Sequence, residues 1–353
     1  MPTEVYDADS DKNKELFDVY CRHLPNLYQL REQLRGKLGE RADQFSYPHL
    51  IYISSEQDSL RHKLFVVGKD PRESSLDRFV DKSGGSCGRY LGSSPLDKTL
   101  ESLNVGAVVR ELMDQDKHFS RRQYGKPFLE TAIRLNGQMN PGSPDNSFAY
   151  SNAVKVSLDG KTPDKDIALE VCRAFPVLVD EVEIARPDVL VFFTGPDLDS
   201  YLQTIFAGLK FYHLCIEGIG WHDLCLLEHN KLPSCTFRAY HPGYSKRNKA
   251  KLNRVLSLIV SLVQGVDECS SPRKRLLTFG KNNYDLMNPG DIDRHHFVLL
   301  ARKGDYSLWE HPQAKEYHLC DRKKNYEPIA RFEKKVEALA ALQQMGGSLD
   351  DGH

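Results

Sequence analysis

The chain has 353 residues, with 48 Lys and Arg set against 49 Asp and Glu, for a net charge of −1. That length allows a large core plus an appendage, and the charge balance excludes a global field drawing the whole protein onto nucleic acid, so any DNA contact must be a local patch. Eight scattered cysteines include no CxxC pair, no apolar run approaches the ~20 residues of a membrane span, and the polar start MPTEVYDADSDKNKE does not read as a signal peptide.

These features predict a cytoplasmic protein with free thiols and no membrane association. In chain order, residues 13 to 41 carry spaced apolar positions (Leu16, Val19, Tyr20, Leu24, Leu27, Leu30, Leu34, Leu38) that predict one or two amphipathic helices, broken near Pro25. Residues 1–44 are expected to be a helical N-terminal extension. KLFVVGKDP predicts a buried strand ending at Gly68, followed by a Gly/Ser-rich loop from Ser74 to Ser94. Helices are expected in DKTLESLNVGAVVRELMD and PFLETAIRLNG, then a strand over FAYSNAVKVS and a helical segment DKDIALEVCRAFPVLVDEVEIAR. The near-continuous apolar run PDVLVFFTG suits a central strand covered on both faces. KFYHLCI, LCLLEH and CTFRAYH are shorter strands, and a helix runs from about Lys246 to Gln264. Strands alternating with helices predict a three-layer α/β/α sandwich with a mostly parallel sheet over residues 45–265. Residues 266–353 are expected to hold a linker and a small β-plus-α appendage: HHFVLLARKGDYSLWEH as a hairpin turning at Lys303 and Gly304, and PIARFEKKVEALAALQQM as a terminal helix.

Three segments place polar groups at the end of an apolar strand: GKDPRE (68 to 73), YSNAVKVS (150 to 157) and AYHPGYSKRN (239 to 248). Strand ends entering loops are where α/β folds carry chemistry. The order of these segments resembles that of the uracil-DNA glycosylase superfamily. The blocks between them, GRYLGSSPLDKTLESLNV and CRAFPVLVDEVEIARPDVLVFFTG, follow the iron-sulfur-containing branch. The likeness spans roughly 220 residues.

The resemblance implies a DNA glycosylase that hydrolyses the N-glycosidic bond of a flipped-out pyrimidine and leaves an abasic site. Cleaving that bond builds positive charge on the sugar and negative charge on the departing base, so an anion and a hydrogen-bond donor are both needed. Asp70 is the implied catalytic acid, positioning water and stabilising the sugar cation, and His241 the donor to the 2-oxo group. Asn152 reads the base edge, because one amide offers a donor and an acceptor side by side; it matches cytosine as well as uracil. Gly68 and Tyr90 complete the implied base pocket, with Tyr90 stacking on the base. Gly243, Tyr244, Ser245, Lys246 and Arg247 are the implied DNA-binding turn, Tyr244 acting as a wedge, with a helix start favourable to phosphate behind it.

Two departures bear on substrate. Where uracil-specific members have Tyr and His after Asp-Pro, this chain has Arg72 and Glu73. The altered gate points to a 5-modified pyrimidine, such as hydroxymethylcytosine or its glucosylated form, as an alternative to uracil, and so to defence against modified foreign DNA as well as to base excision repair. The iron-sulfur cysteines reduce to Cys172 and Cys21, with Val156 at a third position, so no cluster, no metal and no other cofactor is expected. DNA is the expected partner of a monomer, with a further protein partner open to the appendage.

Rival readings remain. Gly84 to Gly88 fits G-x-S-x-G, which would make Ser86 a hydrolase nucleophile, but the flanking residues lack the strand and helix that motif needs. His295, His296, His311, His318 and Cys320 cluster in sequence without paired metal spacing. A glycosylase-like fold that binds DNA or a partner without catalysis is the alternative from a different class.

Overall fold

The computed structural model describes residues 10–69, 104–118, 127–145, 147–159, 161–214, 219–220, 222–243, 249–264, 286–287, 298–311, 315–321 and 327–345. The chain divides into two compact units, residues 1–209 with 228–252, and residues 210–227 with 253–353.

The first unit begins with α1, Asp11–Leu38, whose end is capped by Ser10 accepting from the Asn13 N–H. A break at Pro25 was expected, yet the helix runs through it. Proline removes one backbone donor, but Leu24, Leu27 and Tyr28 on either side are fully buried, and their packing holds the helical path. α1 is tied to the rest of its unit: Asn13 exchanges two hydrogen bonds with the backbone of Ile53, each 2.9 Å, and the helix packs on α2 (Val105–His118), α4 (Lys165–Ala174) and α5 (Val177–Ala185). The single helical segment expected across residues 164 to 186 is these two helices, α4 and α5, parted at Phe175 and Pro176. There the missing proline N–H and the backbone clash it imposes end the first helix.

Four parallel strands form the sheet of this unit: β1 (Leu64–Gly68), β2 (Ala149–Asn152), β3 (Val189–Phe192) and β6 (Cys235–Ala239), ordered β2-β1-β3-β6. Residues Leu64 to Val67 and Val189 to Phe192 are all buried, as strands covered on both faces require. β2 is shorter than the expected 148–157, since the chain bends away after Asn152. The chain visits one side of β1 with β2 and the other with β3, so the order reverses at β1. Crevices outside the carboxyl ends of strands at such a reversal are where open α/β sheets bind ligands. Helix α3, Pro127–Met139, lies against β1 and is tied to its entrance by Asn140, which accepts from the His62 N–H and donates to the His62 carbonyl, both at 2.9 Å.

In the second unit, β4 (Lys210–Leu214) neighbours β5 (Leu224–Glu228) and pairs antiparallel with β7, Leu286–Met287, a strand inside the region expected to be a linker. Parallel and antiparallel pairings thus coexist in this α/β chain. Helix α7 spans Lys249–Gln264. The C-terminal segment is richer in β structure than expected. It is a four-stranded antiparallel meander, β8 (Val298–Lys303), β9 (Tyr306–His311), β10 (Glu316–Asp321) and β11 (Glu327–Phe332), followed by α8, Lys335–Gln344. The hairpin turns on Gly304 and Asp305 rather than on Lys303. PIARF, expected to open the terminal helix, is strand β11. It sits at the sheet edge, where a proline such as Pro328 is tolerated because no ladder donor is missed inside the sheet. Leu308 and Leu319 from the sheet and Ala338 and Leu342 from α8 form its core.

No described helix is long and apolar enough to cross a membrane.

Candidate functional site

Gly68 and Asn152 are cross-strand partners at the carboxyl ends of β1 and β2. Their side-chain positions nearly coincide: a Cβ added to Gly68 would stand 2.7 Å from Asn152 Oδ1, closer than real Cβ contacts come. Only glycine lets the amide lie across the end of β1. Strand alternation turns Tyr150 to the same face as Asn152 and Ser151 to the other. The Tyr150 hydroxyl donates to Asn152 Oδ1 at 3.1 Å. Asn152 is only 1 % exposed, and its Nδ2 is buried with no hydrogen-bond partner among the described residues. A buried amide donor left open is a rare and costly feature, and at a strand end it is a functional pointer.

On the opposite face of β2 a buried polar network holds the strand. Lys155 Nζ donates to both Glu181 carboxylate oxygens at 2.6 Å and to Ser151 Oγ, Ser151 donates to Glu181 Oε2 at 2.7 Å, and the Tyr20 hydroxyl donates to Glu181 Oε1 at 2.7 Å. The Tyr20 oxygen in turn accepts from the Ile51 N–H. Through these contacts α1, α5 and the loop after β2 clamp the residue beside Asn152.

His241 follows β6. The Gly243 N–H donates to its Nδ1 at 3.0 Å, so in the neutral ring the proton sits on Nε2, which makes Nε2 a donor. Gly243 is itself required by space: a Cβ there would meet His241 Nδ1 at 3.0 Å and Cε1 at 3.1 Å. That crowding accounts for glycine at this position. The strand leading to His241 is anchored by Arg238, fully buried, whose Nε and Nη2 donate to the two carboxylate oxygens of Asp199 at 3.1 Å each. Burial pushes the Asp199 carboxyl up to about 6, outweighing the opposite pull of Arg238.

Phe128 of α3 joins the two halves of the site. Its ring lies 5.3 Å from that of Tyr150, 5.7 Å edge-on from Phe193, and 6.2 Å from His241 with the planes only 13° apart. A Cβ on Gly68 would also approach the rings of Phe128 and Tyr150. Gly68, Asn152, His241 and Gly243 are therefore brought to one end of the parallel sheet, as expected from their strand-end positions. Asp70, Arg72, Glu73, Tyr90, Tyr244, Ser245, Lys246 and Arg247 lie outside the described residues, as do Ser86 with its glycine motif. Tyr150 and Phe128 escaped the sequence reading. Tyr150 was open to it, because two residues before Asn152 in a strand means the same face; Phe128 sits on a separate helix and carried no such signal.

The residues at the position of the implied cluster do not fit one. Val156 is a buried hydrocarbon that offers no ligand atom, Cys172 is buried, and Cys21 is a partly exposed thiol on α1. Among the described residues no three His, Cys, Asp or Glu side chains are grouped to hold a metal ion; His295 and His296 lie outside them, and His318 Nε2 lies 3.4 Å from Glu316 Oε2. Comparison with family models, with curated proteins and with solved structures finds no match for this chain.

Proposed function

We propose that this chain is a DNA glycosylase, with a three-layer uracil-DNA glycosylase-like fold, that hydrolyses the N-glycosidic bond of a flipped-out pyrimidine. The observation that carries the reading is Asn152: a buried amide at a strand end, beside an aromatic cluster and His241, with one donor unpartnered among the described residues. A base turned out of the stack presents acceptors on its edge and a flat apolar face, which match that donor and those rings. As the bond between C1′ of the sugar and N1 of the base breaks, its electron pair leaves with the base, and His241 Nε2–H donates to the 2-oxo group on which the charge collects. Asp70 holds the water that adds to C1′, yielding the abasic sugar and the free base. Arg72 and Glu73 border the 5-position and admit a substituent there, so that uracil and 5-modified pyrimidines are both substrates to test. DNA is held by residues 243 to 247, the protein acts as a monomer in the cytoplasm, and the C-terminal segment is free for a protein partner.

The test is to incubate the protein with DNA containing uracil, 5-hydroxymethylcytosine or its glucosylated form and to identify any released base by mass spectrometry. Release from at least one substrate is expected, and Asp70→Asn should slow it by about 100-fold or more while DNA binding persists. Binding without release from any of these DNAs would replace this reading with that of a catalytically inactive DNA-binding protein.

A further inference from the structure

We propose that Tyr150 is the specificity-determining residue of the pocket: by holding Asn152 Oδ1 it turns Nδ2 to the ligand, so that the pocket prefers a 4-oxo pyrimidine over a 4-amino one. An amide side chain is nearly symmetric in shape, and an unrestrained asparagine reads either edge by rotating half a turn. Here two contacts act on the same atom. The Tyr150 hydroxyl donates to Oδ1, and Oδ1 lies against the end of β1 where Gly68 has only hydrogens. After rotation an N–H₂ group would be driven at those hydrogens, while the better phenolic donor would lose its acceptor. The oxygen is thereby held between Tyr150 and Gly68, and the buried Nδ2, without a partner among the described residues, is left to meet an acceptor. The 4-oxo group of uracil and its 5-substituted forms is such an acceptor; the 4-amino group of cytosine is a donor and would confront a donor, so of the substrates proposed above uracil is favoured over 5-hydroxymethylcytosine and its glucosylated form.

Tyr150 is itself held for this task. The residue is only 8 % exposed, its ring between His49 at 4.8 Å and Phe128 at 5.3 Å, so its hydroxyl cannot swing away from the amide. It is a positioning residue, acting through Asn152 rather than on the reacting atoms.

This inference rests on the pyrimidine-glycosylase reading, and its test avoids bond cleavage so that the two can fail separately. Binding of free uracil and free cytosine is measured by ligand-detected NMR on the full chain and on Tyr150→Phe, with a thermal melt as the check on folding. The wild type should bind uracil about tenfold more tightly than cytosine, the worth of one hydrogen bond, and Tyr150→Phe should bring the two within about threefold. The decisive readout is that cytosine binds more tightly to the variant than to the wild type, because a merely damaged pocket would weaken both bases. If the variant melts early, the same comparison is made with Tyr150→Met, an adaptable apolar side chain that carries no hydrogen-bond donor of this kind. An unchanged preference, equal weakening of both bases, or failure of the wild type to bind either base overturns the assignment. Uracil binding with the expected switch but no release of any base from DNA would retain Tyr150's role and discard the glycosylase reading.

Discussion

Gly243 shows how one residue can serve geometry through its neighbour. Its N–H fixes the tautomer of His241, and its lack of a side chain gives the imidazole room. Gly243→Ala would place a methyl group at 3.0 Å from Nδ1, so the ring must shift by a few tenths of an ångström or lose the bond. Under the proposed function, base release should fall by about 10- to 100-fold with little change in thermal stability, since small misplacements of a reacting group are costly and the turn is near the surface. Single-turnover kinetics on uracil-containing DNA, paired with a melt of the variant, checks this. A rate equal to wild type would mean that the histidine does not act from this position. Gly68 is the parallel case at the other strand end, where glycine allows Asn152 to lie across β1.

At the scale of elements, the Lys155 and Glu181 pair ties the loop after β2 to α5. The two side chains are 3 % and 0 % exposed. Removing one partner strands a charge in the interior, whereas replacing both by apolar groups does not. Glu181→Ala is expected to lower unfolding free energy by about 3–5 kcal/mol, and Lys155→Met with Glu181→Leu by much less. Urea unfolding of the two variants measures this. Equal losses would mean that the charges are not desolvated. The elements were unequally legible in the sequence. β1 and β3 were readable because a strand buried on both faces is a continuous apolar run. The continuity of α1 through Pro25 was not, because a local rule about proline competes with tertiary burial of Leu24, Leu27 and Tyr28, which sequence periodicity does not weigh. β11 was hidden for the same kind of reason. PIARF adjoins a strong helical pattern, and only pairing with β10 draws it into a sheet.

For the whole molecule, Asp199 imposes a dependence of stability on pH. Its carboxyl is pushed up to about 6 in the folded chain from an ordinary 3.8, because burial penalises the ionised form. A group whose pKa is raised by folding adds stability below its unfolded value, and that increment is lost as the pH rises through the folded value. Here that window runs from about 4 to about 6, and the increment is on the order of 2–3 kcal/mol. Denaturant unfolding at pH 4 and at pH 7 should therefore show a smaller drop between the two for Asp199→Asn than for the wild type. An identical pH dependence in both proteins would show that Arg238 keeps Asp199 ionised throughout. The variant is also expected to be less stable overall, because Arg238 is fully buried beside it.

By itself, the sequence determined the α/β alternation of helices and strands and the strand-end positions of Gly68, Asn152, His241 and Gly243. Apolar runs and polar punctuation are local properties of the chain. It also implied, through motif order, a chemistry that remains a proposal. Only the tertiary structure decided what those residues do to one another. Parallel pairing set Asn152 against Gly68, the packing of α3 placed Phe128 between Tyr150 and His241, and folding buried an amide donor without a partner among the described residues. The physical reason is that hydrogen-bond satisfaction and close approach are pairwise properties of groups far apart in sequence, and no residue carries them alone.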